Sequence, residues 1–158
     1  MNPVWYRNDL RVHAHRALQQ ALSQGGPVIA VYCLCEQQWD AHEVAPLRRW
    51  YVLQSLLELG DALAARGVDL HVLDAGDFAA VPAMLADFAS EHDVEHIFCS
   101  REYPLNELNR DRAVARVLEP QGVGITGYDD SVLVPPRTLN TGKGTPYTVF
   151  SAYKKRWD

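Results

Sequence analysis

Polar and aromatic side chains cluster in two loop-like segments of this 158-residue sequence, each following an apolar run. Trp39 and His42 lie in EQQWDAHE, and Tyr103, Asn106 and Glu107 lie in SREYPLNE. A carboxylate accepts hydrogen bonds from ring N–H groups, an amide both donates and accepts, and aromatic faces stack. Brought together, these residue types would bind a planar heterocycle that carries ring N–H groups.

A third segment, RNDLRV, adds the charged candidates Arg7, Asp9 and Arg11. They are either contacts in the same crevice or a ladder of structural ion pairs. Structural alternatives stay open for the other residues too. Asn106 would serve as the N-cap of a helix with Glu107 in its first turn, where the helix dipole favours a carboxylate. His42 would be a surface histidine, and Trp39 would belong to the core.

Sequence motifs for bond chemistry are missing. No GxGxxG follows the first apolar run, which disfavours a dinucleotide there. No Ser/His/Asp or Cys/His grouping has support from position, so we predict no catalytic residue. Cys33, Cys35 and Cys99 lie in apolar runs, where a free cysteine behaves as a small buried hydrophobe. The CxC pair has no second ligand cluster at a suitable spacing, so we predict no metal site.

Apolar, β-branched runs alternate with amphipathic segments along the chain. The runs predict strands over residues 3–7, 27–35, 69–75, 94–100 and 123–129, and the amphipathic segments predict helices over 15–23, 46–66, 81–92 and 106–118. In the longest helix, one apolar face is predicted from Trp50, Leu53, Leu56, Leu57, Leu63 and Ala64.

This alternation is typical of an α/β fold. We predict a Rossmann-like, doubly wound, five-stranded parallel sheet in the order 3-2-1-4-5, with helices on both faces. Such sheets bind ligands beyond the carboxyl ends of their strands, where the strand order reverses. The three polar loops described above would meet at that crevice.

The composition is that of a soluble globular protein, with 47% hydrophobic and 22% charged residues. No apolar run approaches the roughly 18 residues of a membrane span, and no signal peptide opens the chain, so we expect a cytoplasmic protein.

The net charge of −5 is unevenly distributed along the chain. Residues 1–136 carry 10 basic and 19 acidic groups (−9), and residues 137–158 carry five basic groups and one acidic group (+4). The acidic body offers no basic stripe for DNA.

The last segment, residues 131–158, breaks the pattern. It is rich in proline and turn residues and closes on YTVFSAYKKRW, which reads as the start of a helix with aromatic anchors. We therefore predict a domain over residues 1–130 and an interdomain linker over 131–158.

Three stretches of the sequence carry a resemblance to a known family. WYRNDLRVHAHRAL, REYPLNELNRDRAV and YDDSVLVPPRTLNTGKGTPYTVFSAYKKRW resemble, in order, segments of the DNA photolyase and cryptochrome family, most closely the bacterial class I photolyases that repair cyclobutane pyrimidine dimers. Tyr153 stands where the family often has Phe, and Ala14 and His15 stand where many members have Asp and Asn.

The resemblance implies a light-harvesting antenna domain. In full-length members a larger helical domain follows, binds FAD and the damaged DNA, and would be this domain's partner. FAD would then be absent from this chain, and the chain alone would not be catalytic. A cryptochrome signalling module and a stand-alone nucleotide-binding or interaction domain are the alternatives.

The resemblance also implies an antenna pigment, methenyltetrahydrofolate, with deazaflavin left open. The family's pterin contacts match Asn106, Glu107 and His42. Because the helical domain supplies part of that site, we expect this chain alone to hold folate weakly or not at all. Tyr147, Phe150, Tyr153 and Trp157 would lie along the sheet or against the partner domain, and their exposure would promote a homodimer.

Overall fold

The computed structural model describes residues 1–136 and 138–157, so Arg137 and Asp158 lie outside the described part. One parallel sheet organises the chain in the order β3-β2-β1-β4-β5. Its strands are β1 (Val4–Tyr6), β2 (Ile29–Leu34), β3 (Asp69–Asp74), β4 (His96–Ser100) and β5 (Gly124–Tyr128). The predicted strand order is confirmed, and each strand ends within two residues of its predicted limits.

Helices lie between successive strands, and one more follows β5. They are α1 (Arg16–Ser23), α2 (Glu36–Ala41), α3 (Pro46–Ala64), α4 (Val81–Glu91), α5 (Leu105–Leu118) and α6 (Phe150–Trp157), with a 3₁₀ turn at Glu119–Gln121. None of them, within the described part of the chain, is long and apolar enough to cross a membrane.

Helix α2 lies in a segment that the sequence led us to expect as a loop, so that expectation was wrong. Six residues are too few to show an apolar period. A residue outside the helix stabilises its first turn. The backbone N–H groups of Gln37 and Gln38 donate to the carbonyl of Gly76, at 2.8 and 3.3 Å. Gly76 has φ +69°, which other residues rarely adopt.

Two cores form because successive side chains of a strand point to opposite faces. Trp5 packs beneath α4 and α5, whereas its neighbours Val4 and Tyr6 pack beneath α1 and α3. All three are almost completely buried. The prediction of helices on both faces is thus confirmed.

The predicted apolar face of α3 was wrong in part. Leu56 and Leu63 are buried, together with Leu59, but Trp50, Leu53, Leu57 and Ala64 are exposed. Residues 56, 59 and 63 recur at helical spacing on the side that meets the sheet. Residues 50, 53, 57 and 64 recur at the same spacing on a second side of the helix, so α3 has two apolar faces rather than one.

Candidate functional site

A cavity of about 420 Å³ opens at the carboxyl ends of β1, β2 and β4. The strands contribute Tyr6, Tyr32 and Cys33, and the loops and helices beyond them contribute the rest. The cavity thus lies where the order of a doubly wound sheet reverses, as this class of fold predicts. Its volume is in the range of small-molecule sites.

Most of the residues predicted from the loops meet at this cavity. Trp39, His42, Asn106, Glu107 and Arg7 all line it. Asn106 Nδ2 lies 3.3 Å from His42 Nε2, although the two residues are 64 positions apart in the sequence. The C-terminal end of α2 and the start of α5 therefore face each other across the cavity mouth.

Tyr103, Asp9 and Arg11 lie elsewhere, around an adjoining cavity of about 240 Å³. The Tyr103 hydroxyl donates to Asp129 Oδ1 at 2.8 Å. Burial and this carboxylate together raise the pKa of Tyr103 to about 12. Glu107 lines both cavities and forms part of the wall between them.

The alternative role of Asn106 as a helix N-cap is wrong. Helix α5 begins at Leu105, and Pro104 is its N-cap, with extended backbone and no side-chain cap bond. Asn106 is therefore inside the helix, where its amide faces His42. Glu107 does lie in the first turn, where its charge complements the helix dipole.

A buried network of charges adjoins the cavity, which two of its members, Arg7 and Glu102, line. Arg7 Nη1 donates to Asp111 Oδ2 at 2.9 Å. Arg110 Nη2 donates to Glu102 Oε2 at 2.7 Å and to Asp111 Oδ1 at 2.8 Å. Both guanidinium groups also cover the ring of Trp5, at 4.6 and 4.9 Å from its centroid. The network fixes β1, the loop after β4 and α5 relative to one another.

The three charged residues of RNDLRV do form ion pairs, but with partners outside that loop. Arg11 lies 3.7 Å from Asp130, and Asp9 Oδ2 lies 2.6 Å from Nε2 of the buried His15. His15 Nδ1 accepts from the backbone N–H of Leu18, which puts the ring proton on Nε2. Burial alone would raise the pKa of Asp9, but the bond and charge from His15 outweigh it and lower the pKa to about 2.

Sequence reasoning missed several lining residues, among them Cys33, Cys35, Arg48, Arg49 and Glu102. The position of Cys33 and Cys35 at the carboxyl end of β2 was the available signal. Burial raises their thiol pKa values to about 12 and about 11. Both thiols are therefore protonated at neutral pH, which makes them poor nucleophiles.

The lining as a whole is suited to binding rather than to bond chemistry. It offers a carboxylate acceptor in Glu107, an amide in Asn106, an indole face in Trp39 and cationic donors in Arg48 and Arg49. Arg49 Nε donates to the carbonyl of Val44 at 2.8 Å, which holds it near the mouth. This set matches a flat, polar-edged ring with an anionic substituent.

A doubly wound parallel sheet with a polar, aromatic-lined cavity at its switch point defines a Rossmann-like α/β domain. The chain belongs to the DNA photolyase family, whose model matches residues 3–158. It is 36% identical to the deoxyribodipyrimidine photo-lyase of Salmonella typhimurium over 98% of its own length and 32% of the relative's. It is 33% identical to that of Vibrio cholerae over 99% of its own length and 34% of the relative's.

Solved structures show the same likeness. A cryptochrome from Synechocystis superposes with a TM-score of 0.86 at 28% identity, over 98% of this chain and 32% of that one. A class III photolyase from Agrobacterium tumefaciens gives 0.80 at 28% identity, over 98% of this chain and 31% of that one. The chain thus spans about a third of the length of its relatives.

Proposed function

We propose that this domain binds an antenna chromophore, methenyltetrahydrofolate, in the cavity at the carboxyl ends of the strands. The chromophore would absorb light and pass its excitation energy to FAD, bound in a helical domain of a longer protein. That protein would use the energy to repair pyrimidine dimers in DNA. The observation that carries the proposal is the pairing of Asn106 with His42 across the cavity mouth, next to Glu107. When bound, the folate supplies near-ultraviolet absorption, and no bond changes in this chain.

The residues present fit such a ligand. The Glu107 carboxylate would accept hydrogen bonds from ring N–H groups. The Asn106 amide would donate to, or accept from, a neighbouring ring atom. The Trp39 indole supplies a flat face for stacking. Arg7 also lines the cavity, and its guanidinium would offer a donor to an acceptor atom of the ligand.

Two arginines lie at the cavity mouth on the side of α3, and Nη1 of one of them, Arg49, is already paired with Asp40. Arg48 and Arg49 both line it and begin the helix that follows the β2 loop. A folate carries carboxylates on its glutamate, which these guanidinium groups would meet in charge-assisted hydrogen bonds. This supports an anionic ligand over a neutral heterocycle.

A second candidate function, a cryptochrome signalling module, has support from the likeness to the Synechocystis cryptochrome and from 29% identity to Cryptochrome-1 of Arabidopsis thaliana. A longer protein containing this domain separates the two candidates. Light-dependent reversal of pyrimidine dimers in that protein supports the photolyase, and its absence alongside a bound, photoreducible flavin supports the cryptochrome.

The binding proposal is tested by titrating the purified chain with methenyltetrahydrofolate and following its near-ultraviolet absorption and fluorescence. We expect weak, saturable binding, because the chain supplies one wall of the site. Glu107→Ala should weaken it about tenfold or more, since a hydrogen bond to a charged group contributes about 1.5–3 kcal/mol.

Glu91→Ala, an exposed carboxylate on α4, is the matched control and should bind as the wild type does. Equal affinity of the Glu107 variant and the wild type would contradict the site assignment. An adenine nucleotide that binds here while folate does not would favour the stand-alone nucleotide-binding domain.

A further inference from the structure

The loop after β3, residues 75–80, reaches the cavity from an edge of the sheet. In the strand order, β3 is the edge strand and lies two places from β1. Its loop nevertheless contributes Phe78 to the cavity lining, and the guanidinium of Arg110 lies 4.7 Å from the centroid of the Phe78 ring. Gly76, in the same loop, accepts the two hydrogen bonds from the first turn of α2. The loop therefore touches both the cavity and the helix that carries Trp39.

Helix α2 depends on contacts made at its two ends. It is six residues long, buries none of its side chains, and makes no side-chain bond from its N-cap residue, Cys35. A helix this short is not stable in water by itself. At its C-terminal end Arg49 pairs with Asp40 and donates to the carbonyl of Val44. At its N-terminal end the carbonyl of Gly76 accepts from backbone N–H groups that have no partner within the helix.

The loop is ordered on both sides of Gly76. The backbone N–H of Ala75 donates to the carbonyl of Leu34 in β2 at 2.8 Å. Asp77 Oδ1 accepts from the backbone N–H groups of residues 79 and 80, at 2.9 and 3.1 Å, directly before α4. The Gly76 carbonyl is therefore presented by a turn that is tied to the sheet and to the start of α4 rather than to α2.

We propose that Gly76 is a positioning residue for the ligand site, which acts by holding the first turn of α2 through its backbone carbonyl. Helix α2 carries Trp39, and His42 is its C-cap. A shift of the Gly76 carbonyl would release the start of the helix and move both side chains relative to Asn106, which faces His42 across the cavity mouth. The effect on folate rests on the proposed function, whereas the effect on α2 does not.

Glycine at position 76 permits the turn that presents this carbonyl. Its φ is +69°, which is unfavourable for other residues and a marked outlier for a β-branched one. A Cβ at this position would also lie 2.9 Å from Nε2 of Gln37, in the first turn of α2, so the Gln37 side chain would have to move. A side chain at position 76 therefore disturbs the turn and the start of α2 together.

Gly76→Val in the 158-residue chain tests this role, and Gly67→Val is the matched control. Gly67 follows α3 and has a nearly equal φ of +71°, but a Cβ built on it meets no atom of the described residues within 4 Å. Both variants should lose stability for the same backbone reason. Only Gly76→Val should change α2 and the ligand site.

Amide hydrogen exchange resolved by NMR measures the effect on α2 without any ligand. In Gly76→Val, the exchange of the Gln37 and Gln38 amides should become about fivefold faster or more relative to the amides of β1. In Gly67→Val that ratio should stay as in the wild type, because a general loss of stability does not act on α2 alone. Equal ratios in the two variants would overturn the proposal.

Titration with methenyltetrahydrofolate measures the effect on the site. The dissociation constant should rise about fivefold or more in Gly76→Val and stay at the wild-type value in Gly67→Val. Equal affinity of Gly76→Val and a wild type that binds would overturn the proposal. A wild type that does not bind folate would contradict the proposed function, and the exchange measurement would still decide the role of Gly76. If a valine variant does not fold, Gly76→Ala and Gly67→Ala make the same comparison.

Discussion

The two walls of the cavity differ in how firmly they are held. On the side of β1, β4 and α5, Arg7 and Arg110 are tied to Glu102 and Asp111 by bonds of 2.7–2.9 Å beneath the surface. On the side of β2, the six-residue helix α2 buries none of its side chains. One wall, which we call the fixed wall, is tied by buried ion pairs, and the other, the adaptable wall, is held by backbone hydrogen bonds and by the surface pair of Arg49 with Asp40.

The difference suggests that one wall mainly stabilises the fold and the other mainly binds the ligand. Residues of the fixed wall are buried and mutually paired, so removing one leaves another charge without its partner. Residues of the adaptable wall are exposed or half-buried, so they should contribute less to folding than the buried ion pairs do. Variants of the fixed wall should therefore lose more stability than variants of the adaptable wall.

Arg110→Ala should have the largest effect. The side chain of Arg110 is only 6% exposed and pairs with Glu102 and Asp111, which would be left with fewer partners. Breaking a buried ion pair from one side costs about 3–5 kcal/mol, and the partial exposure of Asp111 favours the lower end. Urea unfolding measures this cost. Arg112→Ala, an exposed arginine on the same helix, should stay within about 0.5 kcal/mol of the wild type; equal costs for both would remove the distinction between the walls.

Asp9 should make stability depend on pH in the acid range. Its folded pKa, about 2, is below the ordinary value of 3.8, so the unfolded chain binds a proton first as the pH falls. The stabilisation is therefore complete above about pH 4 and is lost as the pH falls through 2. It amounts to about 2 kcal/mol.

The measurement is the free energy of unfolding between pH 6 and pH 2. Asp9→Asn should remove this component of the pH dependence, whereas Asp87→Asn, an exposed carboxyl on α4, should leave it in place. A pH profile of Asp9→Asn parallel to that of the wild type would show that His15 does not hold the carboxylate as described.

His42→Ala should have the smallest effect on stability, because the side chain is exposed and its contact with Asn106 is long, at 3.3 Å. We expect a change in the free energy of unfolding of less than about 0.5 kcal/mol, together with a several-fold loss of folate affinity. His13→Ala, another exposed histidine, should change neither quantity. A large loss of stability in His42→Ala would place the histidine in the fixed wall.

Much of the fold was predictable because its causes are local or general. Apolar runs marked the strands, and the rules for parallel sheets gave the order β3-β2-β1-β4-β5 and the location of the crevice. The polar residues after β2 and β4 could be named before their contact was known. The identity of the ligand that these residues bind was not predictable from their spacing and is a proposal.

The features that the sequence did not predict depend on distant partners or on a period shared by two rows of side chains. Arg7 and Asp111 are 104 residues apart, and no pattern near either one indicates the other. Helix α2 is held by the carbonyl of Gly76, which lies in the loop after the edge strand β3. In α3, two apolar rows follow the same period, so spacing alone does not tell which row meets the sheet.

The first turn of α1 depends on a residue near the end of the domain. The backbone N–H of Arg16 donates to Asp130 Oδ2 at 2.6 Å, across 114 positions of sequence. During synthesis on the ribosome, α1 therefore waits for nearly the whole domain to emerge before this amide is satisfied. Until Asp130 leaves the exit tunnel, this exposed amide would donate to water, and the first turn of α1 would be held by its N-cap, His15, alone.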